Sequence, residues 1–310
     1  MTAHNHQSSN PQERRTGSPP AGGFRSARNL TGGAGNPRVR RRAVVLAALV
    51  VVGGGALGLG GWAVAQSGWG AGPDALGWQR DAEHPQDVFT FVRIKYNSRG
   101  RGGWGWGGGR WETDMPDSDN NLSLRLQQLT SLKVNPEPQV LELSDPRLFD
   151  YPFIYIVEPG RMSLFEEELE ALRNYLLAGG FLMFDDFWGQ DAWDNVHQEM
   201  KRVFPDRDPV DLPITHPIFS AVFPLDKKPQ VPSIHHWYRT GLSYERFDAE
   251  EPHYQAYLDD DGRIMALACH NTDLGDGWER EGEDAEYFRT FSEAQAYPMG
   301  INIIFYAMTH

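Results

Sequence analysis

Two adjacent carboxylates, Asp185 and Asp186, are the residues of this chain best placed for acid–base chemistry. They follow the apolar run 181–184, and neighbouring carboxylates at a strand end can differ in pKa, so that one keeps its proton and acts as an acid. Successive strand residues point to opposite faces, so only one of the two can enter a site. We expect one aspartate to bind a sugar hydroxyl, a metal or a water, and the other to cap the next helix.

The histidines offer partners for this pair. His216 is a candidate to act with Asp185 or Asp186 in hydrolysis, although His216-Pro217 also suits a plain turn. His235 and His236 precede Trp237, and crowded imidazole and aromatic groups suit a carbohydrate site. Anchoring of the loop in the core explains Trp237 equally well. His-x-x-x-His and Cys-x-x-Cys spacings are absent from the sequence, which therefore predicts no metal and no cofactor.

Tryptophan supplies a further set of candidate ligand-binding residues. Seven glycines between residues 98 and 111 are interleaved with Trp104, Trp106 and Trp111, and Trp188 follows the aspartate pair. The glycine spacing does not match a phosphate-binding loop. Flat indole rings on such a loop suit stacking on sugars or contact with a membrane interface, and the alternative is that they fold back over the core.

Charge and cysteine content exclude other classes. Eight of the 29 basic residues but only one of the 42 acidic residues precede Gln66, so the rest of the chain is strongly acidic and repels nucleic acid. Cys269 is the single cysteine, which rules out an intrachain disulfide. The run Asp259–Gly262 lacks the later glutamate of a calcium loop and predicts a hairpin turn.

A membrane segment is predicted near the start of the chain. Arg40, Arg41 and Arg42 lead into residues 43–65, which carry no charge and are long enough to cross a bilayer as a helix. Residues 1–42 predict a disordered cytoplasmic tail and residues 66–87 a linker. Either the chain is a single-pass inner-membrane protein with its C-terminal domain outside the cytoplasm, or it is cleaved after Ala65 and is secreted or periplasmic.

Residues 88–310 alternate strands and helices. The pattern predicts strands at 89–96, 140–143, 153–157, 181–184 and 264–269 and helices near 122–132, 163–177, 191–203 and 298–308. Ser163 and Glu166 form a capping box for the second helix. This order predicts a three-layer α/β/α sandwich with a mostly parallel sheet. Ligands bind such sheets beyond the carboxyl ends of the strands, which places Tyr96, residues 158–160 and residues 185–188 on one rim.

Several short motifs occur together in one order. They are residues 111–116 (Trp-Glu-Thr-Asp-Met-Pro), Leu-Thr at 129–130, residues 148–152, residues 179–186, His-Pro-Ile-Phe at 216–219, Asn-Thr-Asp-Leu-Gly at 271–275, and residues 300–306. With them the chain, from about Phe89 to His310, resembles the bacterial domain-of-unknown-function family 4159.

The resemblance implies a class I glutamine-amidotransferase-like (flavodoxin-like) fold and an exported or membrane-tethered protein, but no reaction. Amidotransferases of this fold carry a cysteine at the turn where this chain has residues 185–187, Asp-Asp-Phe. Glutamine hydrolysis by a cysteine is therefore not expected. The leading hypothesis is a cell-envelope module that binds a glycan or a partner protein at the rim. The alternative is a hydrolase that uses Asp185 or Asp186 with a histidine.

Overall fold

A seven-stranded sheet organises the computed structural model, which describes residues 88–98 and 110–310. Residues 92–94, 139–141, 153–157, 181–187 and 264–270 form its parallel strands, and two antiparallel strands extend one edge. A separate pair, β2 with β5, is antiparallel. In chain order the strands are β1 (Val92–Ile94), β2 (Asn97–Ser98), β3 (Gln139–Leu141), β4 (Phe153–Val157), β5 (Met162–Ser163), β6 (Phe181–Phe187), β7 (Val210–Asp211), β8 (His253–Leu258) and β9 (Ile264–His270).

The strand order reverses once within the parallel part. The spatial order is β3-β1-β4-β6-β9-β8-β7, with β8 and β7 antiparallel to their neighbours. The chain runs from β1 outward to β3 and then back past β1 to β4. Such a reversal leaves a crevice beyond the carboxyl ends of the strands on either side of it, which is where open α/β sheets bind ligands.

Helices cover both faces of the sheet. They are α1 (Asp117–Leu129), α2 (Glu166–Leu177), α3 (Gly189–Val203), α4 (Ile234–Thr240), α5 (Leu274–Glu279), α6 (Ala285–Tyr287) and α7 (Tyr297–Thr309), with a π-helix at Phe288–Ala296. Side chains of α1, α5 and α7 contribute to the core on one face, and those of α2 and α3 to the core on the other. The chain therefore folds as an α/β sandwich with a mostly parallel sheet, as the alternation of elements predicts.

Strand β4 shows why the central strands are apolar throughout. Phe153, Tyr155 and Val157 pack into one core, while Ile154 and Ile156 pack into the other. Because both faces of the strand are covered, every position must be apolar, and all five residues are buried. The uninterrupted apolar run in the sequence predicts this.

Helix α2 begins later than the sequence indicates. The predicted capping box of Ser163 and Glu166 is wrong, because Ser163 belongs to β5 and the helix starts at Glu166. The side chain of Glu168 instead accepts a hydrogen bond from the backbone N–H of Phe165 (2.8 Å). The pairing of β5 with β2 holds Ser163 in extended backbone, and this tertiary contact overrides the local capping signal.

The antiparallel edge of the sheet is only partly visible in the sequence. Residues Asp259–Gly262 do form the predicted hairpin turn, in which Gly262 has a φ of 81° and the side chain of Asp259 accepts the N–H of Asp261 and Arg263. The strand before the turn, β8, was not predicted. No helix within the described residues has the length and apolar character needed to cross a membrane. The predicted tail, membrane segment and linker (residues 1–42, 43–65 and 66–87) lie outside the described residues.

The face that α2 turns to the sheet gives a test of this fold. Leu172 is fully buried, whereas Glu170 two positions earlier is exposed. We expect Leu172→Ala to lower the free energy of unfolding by about 2–5 kcal/mol, because it leaves a cavity. Leu172→Asp should unfold the domain, because it buries an unpaired charge. The control Glu170→Gln should change little in urea unfolding, and equal stability of all three variants would contradict the helix orientation.

Candidate functional site

An acidic cleft opens at the carboxyl ends of the parallel strands. Its volume is about 490 Å³, within the range of small-molecule sites. Three of its carboxylates come from three strands that are neighbours in the sheet: Glu158 directly after β4, Asp186 near the end of β6, and Asp273 shortly after β9. The strand reversal between β1 and β4 thus places its crevice where the charged residues gather.

Asp114 reaches the cleft from a segment that a buried arginine holds. Arg93 of β1 is fully buried and bonds both carboxylate oxygens of Asp119 (3.0 and 2.5 Å). The same guanidinium donates to the backbone carbonyls of Trp111 (3.0 Å) and Thr113 (2.7 Å). These bonds bracket Asp114 on both sides. The segment 111–119 is therefore fixed to strand β1 of the sheet.

Three aspartates form the floor of the cleft. Asp114, Asp186 and Asp273 each place a carboxylate oxygen within 4.8 Å of the others. The Oδ2 atom of Asp114 is enclosed and has no hydrogen-bond partner among the described residues. It lies so close to α5 that a Cβ on Gly275 would approach it to 2.7 Å, so a side chain at position 275 would displace the Asp114 carboxylate.

The electrostatics of the floor follow from burial and crowding. Burial, together with the charges of Asp276 and Glu279, raises the pKa of Asp114 well above its ordinary value. Burial and Glu158 do the same to the pKa of Asp186, and burial and Asp186 to that of Asp273. Carboxylates in such surroundings resist full ionisation at neutral pH. The floor therefore favours a proton or a cation between its members.

Asp185 and Asp186 have separate roles in the structure. Asp185 is fully buried and accepts hydrogen bonds from the Tyr155 hydroxyl (3.1 Å) and from the backbone N–H groups of Leu274 (3.3 Å) and Gly275 (2.9 Å). It thereby ties the start of α5 to β6, and burial raises its pKa to about 7. Asp186 lines the cleft instead and accepts the indole N–H of Trp188 (3.2 Å).

Four non-glycine residues around the floor have left-handed backbone. They are Asp114, Glu158, Asp186 and Asn271, with φ values of 63°, 46°, 54° and 63°. Such a conformation costs about 1–3 kcal/mol per residue and collects at functional sites. The side chain of Asn271 accepts the N–H of Gly189 (2.9 Å) and donates to the carbonyl of Glu251 (2.8 Å). The Asn271 side chain thus links the end of β9 to the start of α3.

Arginines stand on the walls above the floor. Arg110 forms an ion pair with Glu158, which also accepts the hydroxyl of Thr113 (2.9 Å). Arg246 pairs with Asp191 (3.0 Å) and Asp248 (3.1 Å). Arg161 is exposed, lines the cleft and forms no ion pair with a described residue. The cleft therefore offers hydrogen-bond donors on its walls and acceptors on its floor.

The other predicted site residues lie partly outside the cleft. Trp188 lines it. Trp111 instead packs against the core that α2 and α3 form with the sheet. Trp104 and Trp106 lie outside the described residues. His235 is exposed and His236 is half-buried on α4, and neither lines the cleft. Trp237 packs on Tyr287 and Phe291, as the anchoring alternative has it.

The hydrogen bond and the ring contact of His216 involve its own turn and α7, not Asp185 or Asp186. Its Nδ1 accepts the backbone N–H of Ile218 (3.2 Å), and its ring packs on Tyr306 of α7. Its role is that of a turn residue, the structural alternative for His216-Pro217. No histidine within residues 88–98 and 110–310 hydrogen-bonds to Asp185 or Asp186.

Sequence reasoning missed two residues of the floor, Asp114 and Asp273. Neither stands in a pattern that signals chemistry, because the distance between them closes only when the sheet forms. Both nevertheless lie inside motifs of the family resemblance, residues 111–116 and 271–275. The presence of an aspartate in each of these two motifs is the sequence feature that could have identified Asp114 and Asp273.

The support of Asp114 by Arg93 can be tested by unfolding. We expect Arg93→Met to lower the free energy of unfolding by about 3–5 kcal/mol, because it leaves the buried Asp119 carboxylate without its partner. Arg147→Met is the matched control, since Arg147 pairs with Asp145 at the surface and such pairs contribute little. Urea titration of the two variants measures the difference. Equal midpoints would show that Arg93 is not the anchor of this segment.

Comparison with known proteins assigns the chain to a family. A search among curated proteins finds no match. The sequence profile of a domain of unknown function, DUF4159, matches residues 90–308. The match covers every strand from β1 to β9 and nearly all of α7. The chain belongs to the DUF4159 family.

Proposed function

We propose that the domain is a cell-envelope binding module whose cleft holds a polyhydroxylated ligand, a glycan. The observation that carries this proposal is the composition of the cleft. Seven acidic side chains and three arginines line it, so acceptors and donors of hydrogen bonds both face one space. Sugar hydroxyls donate and accept hydrogen bonds, and they satisfy both kinds of group. A protein partner at the same rim is the alternative occupant.

The charge balance supports an uncharged or weakly charged ligand. Four more acidic than basic side chains line the cleft, which disfavours nucleic acid and other polyanions. Hydrogen bonds to charged groups are stronger than those between neutral groups. Hydroxyl groups seated against these carboxylates therefore gain affinity without carrying charge into an acidic site.

Aromatic residues supply apolar surface next to these charges. Trp188 lines the cleft, and its indole is oriented by the hydrogen bond to Asp186. Phe247, between the cleft residue Arg246 and its ion-pair partner Asp248, is 92% exposed. Aromatic rings beside polar groups match the mixed apolar and polar faces of a sugar ring.

Cysteine chemistry has no place in this proposal. Cys269, the single cysteine of the sequence, is fully buried in β9, and burial raises its pKa well above the ordinary value. A protonated, enclosed thiol is neither nucleophilic nor accessible. The parallel strands follow the order of flavodoxin-like sheets, which supports the proposal of an amidotransferase-like fold that lacks amidotransferase activity.

A hydrolase is the second candidate function. The raised pKa of Asp186, caused by burial and by Glu158, suits a carboxyl group that donates a proton to a leaving group. Asp185 is less suited, because its oxygens are occupied by Tyr155 and by the start of α5. The hydrolase hypothesis therefore centres on Asp186 without a histidine partner.

Glycan binding can be measured with the full-length protein in detergent on an array of neutral and amino-sugar oligosaccharides. We expect Asp186→Asn and Arg161→Ala each to weaken binding about tenfold or more, since each removes a charged hydrogen-bond partner. Asp226→Asn, an exposed aspartate outside the cleft, is the control. Folded protein that binds no glycan would refute the proposal, and release of reducing ends that depends on Asp186 would favour the hydrolase.

We also propose that the domain lies outside the cytoplasm, anchored by or cleaved from residues 43–65. The basic flank Arg40–Arg42 and the uncharged segment support this orientation. An alkaline phosphatase fusion at His310 should be active, and a fusion that fluoresces only in the cytoplasm should be dark. Replacement of the three arginines by glutamine should reduce the phosphatase activity. The reverse pattern would show that the domain is cytoplasmic.

A further inference from the structure

The floor of the cleft holds three carboxyl groups that are not paired with any described basic residue. Asp114, Asp186 and Asp273 each place a carboxylate oxygen within 4.8 Å of the others. None of the three forms an ion pair with a described arginine or lysine. Arg93, whose charge acts on Asp114, already donates to Asp119, Ser118 and two backbone carbonyls. The cluster therefore lacks an internal counter-charge.

One oxygen of the cluster has no hydrogen-bond partner among the described residues. Asp114 as a residue is half-buried, but its Oδ2 atom is enclosed and has no hydrogen-bond partner within residues 88–98 and 110–310. An enclosed carboxylate oxygen without a partner is costly and rare in folded proteins. The glycine at position 275 allows Asp114 to approach this closely. The fold thus holds an empty acceptor at the point where the three carboxylates converge.

We propose that Asp114, Asp186 and Asp273 bind one hard divalent cation at the floor of the cleft. The donors are all carboxylate oxygens, which suit Mg²⁺, Ca²⁺ or Mn²⁺ rather than the softer ions that prefer nitrogen and sulfur. Three protein ligands leave further coordination positions on the side that faces the cleft. A ligand hydroxyl or water can occupy those positions.

The neighbouring acidic group is the less suitable site. Asp114 also lies within 4.8 Å of oxygens of Asp276 and Glu279. Arg280 already contacts both of these carboxylates, at 3.5 and 2.7 Å. Asp276 further accepts the N–H of Ile234 and the hydroxyl of Tyr287. Both carboxylates of this neighbouring group therefore already have a cationic partner, whereas neither Asp186 nor Asp273 forms an ion pair with a described arginine or lysine.

The cation site shares Asp186 with the proposed glycan site, but cation binding can be measured in the absence of any glycan. Full-length protein, stripped with EDTA and dialysed, is titrated with Mn²⁺ by the loss of the free-ion EPR signal and with Ca²⁺ by calorimetry. We expect one saturable ion per chain. Asp114→Asn, Asp186→Asn and Asp273→Asn should each weaken binding about 10- to 100-fold or more, because each removes a ligand. Asp226→Asn should bind as the wild type does.

The outcomes separate the alternatives. No saturable binding of either ion to the wild type would overturn the proposal, and this result needs no variant. Loss of binding in Asp276→Asn and Glu279→Gln, but not in Asp186→Asn and Asp273→Asn, would assign the ion to the neighbouring group instead. Far-UV circular dichroism verifies that each variant is folded. Cation binding without glycan binding would refute the proposed function alone.

Discussion

The buried guanidinium of Arg93 is the interaction on which the arrangement of the cleft depends. It stands on strand β1, lies 5.0 Å from the centre of the Tyr155 ring, and directs its N–H groups at Asp119, Ser118 and the backbone of the segment before α1. A charge so deep in the fold is tolerated only when all its donors are satisfied. The chain meets this condition by wrapping residues 111–119 around it. Asp114 is carried to the strand ends as a result, although Arg93 itself never touches the cleft.

The neighbours Asp185 and Asp186 show how one dipeptide can serve the fold and the site together. The ladder between β6 and β9 shifts in register between residues 184 and 187, and Asp186 takes left-handed backbone within this irregularity. Asp185 therefore turns toward Tyr155 and α5, while Asp186 faces the cleft. The strain at Asp186 is balanced by the anchoring of its neighbour. Asp185 thus joins β6 to α5 directly beside Asp186, whose carboxylate lines the cleft.

The sequence predicts the layers of the fold better than the contents of the site. Strand β4 can be predicted because both of its faces are covered, which makes its residues uniformly apolar. Helix α3 can be predicted because its apolar positions repeat. Ser163 misleads because pairing with β2 outweighs its capping preference, and β8 is missed because its residues mix polar and aromatic types. The aspartate pair is visible by adjacency alone. Asp114 and Asp273 are not, since they come together only when the segment before α1 packs beside the end of β9. The sequence also gives no sign that the backbone of Asp114 will be left-handed.

The enclosure of Cys269 makes the natural chain convenient for thiol labelling. It is the single cysteine of the sequence and has no exposed surface in β9, so a maleimide reagent finds no accessible thiol in the folded domain. Phe247, next to the cleft residue Arg246 in the chain, is 92% exposed, so a substitution there disturbs little packing. In a Phe247→Cys variant a fluorophore would attach at that position alone. Occupancy of the cleft could then be followed by fluorescence without removal of the native cysteine.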